Sequence, residues 1–511
     1  MSVLNEMGCW DKVEEANFPI KVGATYRWGK HPELWDLDFV PPSSFAHITR
    51  PAKFAGPRAY TAFQVDRPIY DKILLDHAKE NGVDVRETTK VVEVLRDGNR
   101  VAGLRLESGD TVVAKHYIDA SGTSGFLRRA MKVKCEYPTT LQNIAMWDYW
   151  QNAEWAVKIG VGGTRIQVRS LGYGWLGFIP LGPTRTSVGL VIPAKYYKES
   201  GKRPEELYKA ALQEETAVAE LLKNATSENG FRTTKDWSHI SERMSGENWF
   251  LLGDSAGFSD PILSAGLTIA QLGAREVAFT ILELERGVAD AKWLKEQFDT
   301  RQKQRIRTHI RFADFWYTVN AQFKDLKEFT SELAKDSGLD LSPDKAWMWL
   351  SQGGFIQDSS GAGTGGFSLN QVKRFGDFLT DLESGSPLEN NNVFELNLGD
   401  ATWTDWASYD RGAVRKEQGY VRNDKFLPIS GAIQRVVDIL QQQKTSQGIV
   451  QLVQIRAPRN GVDVATALQT LYEAMEGMIH DGWIRASHDP AYPPLPKFDS
   501  AVGIRWNRDT A

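Results

Sequence analysis

Between Trp249 and Gly266 the sequence reads WFLLGDSAGFSDPILSAG, and the architecture of the chain can be worked out from there. Four apolar residues, Trp249–Leu252, read as a short buried strand. Gly253 lets the backbone turn tightly, and Asp254 leaves a carboxylate at the strand's C-terminal edge. Pro261 and Ser264 precede a helical run from about Gly266 to Glu285, with Leu267, Ala270, Ala274, Val277, Ala278 and Ile281 along one face. The acid can accept hydrogen bonds from sugar-like hydroxyls. The helix start, with its unpaired N–H groups and positive dipole end, favours negative charge. A polyol joined to an electron-rich ring fits both.

Upstream, Val91–Ala120 contains three alternating strands separated by the turns Asp97–Gly98–Asn99 and Ser108–Gly109–Asp110. It runs into Tyr117–Ile118–Asp119–Ala120–Ser121–Gly122, a second strand end with an acid and a glycine. Two such ends are what a doubly wound sheet presents around one ligand. Ala62–Glu87 reads as a strand into a helix, with Pro68 in the first turn. From Glu136 to Pro193 the pattern is mostly β: Leu141–Trp150, Ala156–Val161, Ile166–Ser170, Leu176–Leu181 and Ser187–Ile192. That suits an antiparallel floor to a substrate chamber. Pro204–Leu222 reads as an amphipathic helix, Asp236–Arg243 as the strand feeding Trp249, and Ala291–Leu333 as helix.

Asn390–Asn391–Asn392 reads as a surface linker. From Pro428 the pattern is helix (Gly431–Gln443), strand (Gly448–Ile455), helix (Asp463–His480) and strand (Trp483–Ala486), a winged-helix-like appendage. The fold class expected is therefore α/β (α+β). Residues 1–134 with 245–300 form a doubly wound ligand-binding domain, 135–244 an antiparallel β domain, 301–395 a helical region and 396–511 the appendage. The literal glycine fingerprint at Gly361, Gly363 and Gly366 does not follow a buried strand and reads as a loop.

Composition narrows the function classes. The chain has 511 residues, 41% hydrophobic and 25% charged, the balance of an ordinary globular protein. A net charge of −4 gives no electrostatic case for nucleic acid or an anionic membrane. Cys9 and Cys135 are the only cysteines, and the eight histidines lack metal-ligand spacing, so no metal is expected. No apolar run reaches ~18 residues and no secretory h-region opens the chain, which makes cytoplasm the default.

Taken together, Trp249–Gly266 and Tyr117–Gly122 resemble the cofactor motifs of flavin monooxygenase-type enzymes. The first is similar to the G-D-A-A-G-F-x-D-P-x-x-S-x-G version carried by FAD-dependent halogenases. The resemblance covers roughly residues 8–320. It implies an FAD/NAD(P)-binding fold with Asp119, Gly122, Gly253, Asp254, Pro261 and Gly266 against FAD. Gln64–Val65–Asp66–Arg67 resembles a segment near the flavin, and Arg67 is either a flavin contact or half of a structural ion pair. Halogenase chains open with a strand and G-x-G-x-x-G. The first 30 residues here resemble the segment C-terminal to that unit, so the reading expects a stretch of roughly 40–50 residues to be missing. A misplaced start, a fragment or a degenerate paralogue would each account for it.

The same resemblance implies the catalytic set Lys21, Trp175 and Ser264. Lys21 lies in a K-x-G-A-T-Y-x-W-G pattern similar to the region of the halogenase lysine, which carries or hydrogen-bonds the oxidised halogen; the alternative is a solvated lysine beside a strand. Trp175, Ile179 and Pro180 match the signature W-x-W-x-I-P, with Gly177 in place of the second tryptophan. That departure weighs towards ordinary monooxygenation. Chloride or bromide would sit on backbone N–H groups at Ser264–Ala265–Gly266, a sound anion site. Leu263 stands where the tryptophan-specific branch has a glutamate, which points to a phenol, a pyrrole or a carrier-protein-bound acyl substrate. Implied partners are a flavin reductase and that substrate. Hydroxylation or another flavin oxidation, and a non-catalytic truncated homologue, are the alternatives.

Overall fold

A computed structural model describes residues 2–29, 31–326, 328, 388–422, 425–459, 463–496 and 504–506 of the chain. Trp249–Leu251 forms a strand paired in parallel with Tyr117–Asp119, Leu251 lying opposite Asp119. A 21-residue helix, Gly266–Arg286, and a 28-residue helix, Ala291–Thr318, come after it. Ile269 and Val277 from the first, and Phe298, Ile306 and Ile310 from the second, bury against Phe250–Leu252. Each such side chain contributes about 1.5–3 kcal/mol when fully buried. Tertiary packing, more than local propensity, therefore fixes the helix start beside the Gly253 turn.

The second layer is a 10-stranded sheet. Its main path runs Thr226–Ser227, Gln142–Gln151, Arg185–Pro193, Trp175–Pro180, Gly163–Ser170, Ile20–Arg27, Trp35–Asp38 and Ile504–Trp506. Ile20–Arg27 pairs in parallel with Gly163–Ser170. Strands of residues 20–63 thus join this sheet, through Ala62–Phe63 as well, rather than the pair Trp249–Leu251 and Tyr117–Asp119. Periodicity reveals that a strand exists but not which distant strand it pairs with.

Between Lys21 and Gly23 the pairing slips by one residue, a β-bulge that sets Lys21 opposite Thr164 and Gly23 opposite Arg165. Gly23 has no room for a side chain, since a Cβ there would lie 2.0 Å from Leu37 O. One face of the sheet carries an aromatic cluster of Tyr26, Trp28, Trp35, Trp175, Phe312, Trp316, Tyr317 and Phe323. The other packs Met146, Leu176 and Leu190 against Leu207, Tyr208 and Ala211.

Several local expectations are corrected. Ala156–Val161 is not a strand: Ile159 makes only an isolated bridge to Gly163, and Gly160 and Gly162 take φ of +54° and +80°. The expected helix Pro204–Leu222 is two, Pro204–Glu214 and Thr216–Leu221, with Glu215 between them paired to Arg27. The expected strand Asp236–Arg243 is interrupted, with Arg232–Trp237 on the large sheet and His239–Ser241 pairing Gly257–Phe258 instead. Gly448–Ile455 lies in a helix, Ser446–Arg459, because Ile449, Val453 and Ala457 share a buried helical face.

Asn392 is a buried pin, its side chain bonded to Asp489 and Tyr492, and is no surface linker. The Gly361–Gly366 loop lies outside the described residues. The C-terminal unit has its own core around Phe394, Val436, Ile449, Met475 and Trp483. It is tied to the long helices by Arg301, whose guanidinium stacks 5.4 Å from Trp406 and 5.3 Å from Tyr409. Among the described residues no helix is long and apolar enough to cross a membrane.

Candidate active site

The two motif turns lie side by side. Leu252 N–H donates to Asp119 O at 2.8 Å, and Ser255 Oγ lies 2.5 Å from the same carbonyl. The two carboxylates differ sharply. Asp119 Oδ1 accepts from Ser121 N–H at 2.9 Å, while Oδ2 accepts from Leu127 N–H at 2.8 Å and Arg128 N–H at 3.3 Å. Both oxygens cap the turn and the short helix Phe126–Ala130 behind it. Asp119 thus uses both carboxylate oxygens to build the turn. Gly122, with φ +68° and open space where a Cβ would stand, is the part of this motif that faces outward.

Asp254 is half-buried, and among the described residues its carboxylate accepts no hydrogen bond. Burial raises its pKa; His239 and Arg67 oppose the rise. Gly253, at φ +54°, makes the turn that presents it. Asp254 opens on a crevice of about 350 Å³ that is also lined by Thr123, Trp147, Gly189, His239 and Pro261. On the crevice floor a Cβ at Gly189 would stand 3.4 Å from Trp147 Cβ. Gly189 thus adds no side chain to the crevice lining. Arg67 makes a two-pronged pair with Asp71 at 2.9 and 3.0 Å, on the rim, and still lies near enough to Asp254 to feel its charge.

At the start of the long helix, Asp260 Oδ1 caps the Pro261–Leu263 turn by accepting from Ile262 N–H at 2.9 Å. Ser264 then takes the left-handed conformation, φ +56°, and Ala265 is buried. Gly266 faces open space, since nothing lies within 4 Å of where its Cβ would be. Asp260 Oδ2 accepts from Asn143 Nδ2 at 3.0 Å, and Tyr317 Oη lies 3.2 Å from Oδ1. Burial pushes this carboxyl up to about 7. Trp175 Nε1 donates to Tyr317 Oη at 2.8 Å, so the signature tryptophan is tied to the helix start through two side chains.

The Trp175 ring lies over Gly177, its Cζ3 3.3 Å from where a Cβ would stand. Lys21, half-buried in the bulged strand, holds its Nζ 5.8 Å from the Phe39 ring. Phe39 packs on the aromatic cluster that contains Trp175 and Ile262. Burial lowers the Lys21 amine to about 8, which leaves a nucleophilic fraction near neutral pH. The side chain is half-buried rather than fully solvated.

Sequence reasoning missed His239, Asp260, Asn143 and Tyr317. Asp260 stood within the Trp249–Gly266 motif and Tyr317 within the aromatic helix. The contacts joining Asp260, Asn143 and Tyr317 span 57 to 174 residues, however, while those of His239 span 2 and 15 but depend on how separate strands and turns pack. Among the described residues no group of three or more His, Cys, Asp or Glu side chains is arranged to hold a metal.

Comparison with known proteins bears on this geometry. Residues 43–329 match the profile of the tryptophan halogenase family. A tryptophan 2-halogenase of Chondromyces crocatus is 32% identical over 330 residues, 63% of this chain and 59% of that protein. A 1H-pyrrole-2-carbonyl-[peptidyl-carrier protein] chlorinase of Pseudomonas fluorescens is 28% identical over 63% of this chain and 74% of its own length. The match thus spans between about three-fifths and three-quarters of those relatives. The flavin-dependent halogenase CmlS shares the fold with a TM-score of 0.69 at 22% identity, over 98% of this chain and 91% of its own. The myxobacterial chondrochloren halogenase CndH, described as a variant of FAD-dependent halogenases, superposes with a TM-score of 0.55 at 26% identity, over 74% and 85% of the two chains.

Proposed function

The chain belongs to the tryptophan halogenase family, and from that premise we propose that it is an FAD-dependent halogenase acting on an electron-rich aromatic or carrier-bound substrate. The observation that carries the reading is Asp254: a half-buried carboxylate without hydrogen-bond donors, beside a crevice with a glycine floor. Such an acceptor is matched by the hydroxyls of a ribityl chain, and the floor by a flat ring, so the residues present fit FAD. When bound and reduced by a separate reductase, FAD supplies the two-electron activation of O2 that makes chloride or bromide electrophilic.

The chain's own groups account for the rest. Asp254 orients the polyol. The N–H groups of Ala265 and Gly266 hold an anion, Ser264 N–H being taken by Pro261 O, with the dipole of a 21-residue helix behind them. Trp175, fixed by Tyr317, screens the organic substrate from the cofactor side. Lys21, with its lowered pKa, lies on the aromatic side of the sheet and receives or hydrogen-bonds the oxidised halogen. Leu263 offers no carboxylate where the resemblance places one in the tryptophan-specific branch, which is the ground for a phenol, a pyrrole or a carrier-bound substrate; the relatives include both a carrier-protein pyrrole chlorinase and a tryptophan 2-halogenase. The hydroxylase alternative draws on Gly177 and on the open assignment of Lys21; the half-buried Lys21 amine with its lowered pKa supports the halogenase reading. We place the enzyme in the cytoplasm, where a reductase can supply FADH2.

The test supplies chemically reduced FAD, O2 and bromide, with monochlorodimedone as the phenol-like acceptor. We expect loss of its absorbance only with bromide present, and little of it for Lys21→Ala. Turnover independent of halide would replace halogenation with oxygenation, and absence of flavin binding would remove both.

A further inference from the structure

His239 sits where the crevice meets the Asp254 turn, and its ring makes an unusual pair of contacts. Nδ1 lies 3.1 Å from Trp237 O, and Nε2 lies 3.2 Å from Asp254 O. Both partners are carbonyl oxygens, which only accept. A neutral imidazole has one N–H, so one of the two contacts then sets a ring lone pair against a carbonyl lone pair. The imidazolium donates to both and clamps the two carbonyls. His239 is 8% exposed, on the strand His239–Ser241 that pairs with Gly257–Phe258. The ring is therefore held in place and cannot turn away to relieve the conflict.

The charged and titratable groups facing it come from every neighbouring element: Asp254 on its turn, Arg128 on the short helix, Tyr137 with its ring 6.4 Å away, Lys235 on the crevice wall, and Arg67 beyond Asp254. The His239 pKa lies below its ordinary value: burial, first, and Arg128 lower it, and the carbonyl contacts and Asp254 offset only part of that.

We propose that His239 is a positioning residue for the flavin: its proton fixes the Asp254 turn in the pose that accepts the polyol, so cofactor affinity rises as the imidazole becomes charged. This rests on the reading of the crevice as a flavin site. The proton would link two events at one turn. Anchoring the Asp254 carbonyl immobilises the carboxylate one side chain away, and the added positive charge lies beside the crevice that the reduced, anionic cofactor would enter.

The experiment measures the FAD dissociation constant of the full chain by fluorescence quenching from pH 8 to pH 5.5. We expect the wild type to bind roughly fivefold or more tightly at the acid end, and His239→Gln, which cannot gain a proton, to show a flat profile near the wild-type value at pH 8. Because linkage is reciprocal, FAD must also raise the His239 pKa in [13C]histidine-labelled wild type. That second measurement does not depend on the variant folding. If wild type and variant share one slope, or FAD leaves the His239 titration unmoved, the His239 inference fails and the flavin reading stands. If wild type binds no FAD at any pH, the flavin reading fails and takes this inference with it.

Discussion

Glu276 and Asp254 both belong to the long helix and its approach, and their surroundings are opposite. Glu276, midway along, is 2% exposed and surrounded by donors. Arg305 reaches it at 2.6 Å, Arg301 at 2.7 Å and Gln302 Nε2 at 2.5 Å. Burial alone would raise its pKa, yet Arg305 and Arg301 hold it down at about 2. Asp254, at the helix approach, has its pKa raised by burial, which His239 and Arg67 only partly offset, and among the described residues its carboxylate accepts no hydrogen bond. One carboxylate is complete without a ligand. The other is left wanting, and the fold keeps it so by backing it with a glycine turn.

The contrast predicts a ranked series of effects. Glu276→Gln leaves two buried guanidiniums short of a counter-charge, and should cost about 3–5 kcal/mol of stability by urea unfolding, with flavin affinity of the folded fraction unchanged. Asp254→Asn should do the reverse. Stability by the same measurement should hold or rise slightly, while FAD binding weakens by about 1.5–3 kcal/mol, roughly tenfold to a hundredfold. A stability loss matching that of Glu276→Gln would erase the distinction.

Acid and base should separate carboxylates of these two kinds. The Glu276 pKa is depressed in the folded state, so its contribution is present above the ordinary value of 4.5 and disappears as pH falls from there towards 2. Asp260, elevated to about 7, works the other way. Its contribution is complete below the ordinary 3.8 and is lost as pH rises through the neutral range. Asp260→Asn should accordingly flatten the stability profile between pH 4 and pH 7 and leave the acid limb to Glu276.

Two smaller effects complete the series. Asp119→Asn should cost about 1–2 kcal/mol in thermal unfolding, as a lost cap, and touch flavin affinity only through the turn. Arg67→Ala removes a mostly exposed pair, whose side chains are 58% and 45% exposed, worth about 0.3–0.5 kcal/mol. Any larger loss in FAD binding would mark Arg67 as a cofactor contact.

Much of this arrangement could be read from the amino acids. Gly–Asp and Asp–Ala–Ser–Gly announced two strand ends around one ligand, and D-P-x-x-S-x-G announced the helix start. The sequence did not separate Asp119 from Asp254. Both are acids at strand ends, and the difference arises because the chain returns eight residues later to lay Leu127 N–H against Asp119. Backbone amides returning from a later turn leave no compositional trace. Tyr317, Asn143 and His239 escaped for a related reason: each acts through a partner on another element. The segment 448–455 was misread because its apolar spacing fits either period until the neighbouring helices choose the face.

The bulge at Lys21 has a further consequence. In regular pairing the amine would share a side with Arg165, Gln167 and Arg169, among cations and amides; the one surplus residue carries it through to the tryptophans. Its placement is thus a matter of chain length rather than of residue type. A single-codon deletion next to Lys21 would keep the lysine and every aromatic neighbour in the sequence and still transplant the amine to the wrong compartment. Under the proposed role of Lys21, its function depends on the bulge as well as on the residue's identity.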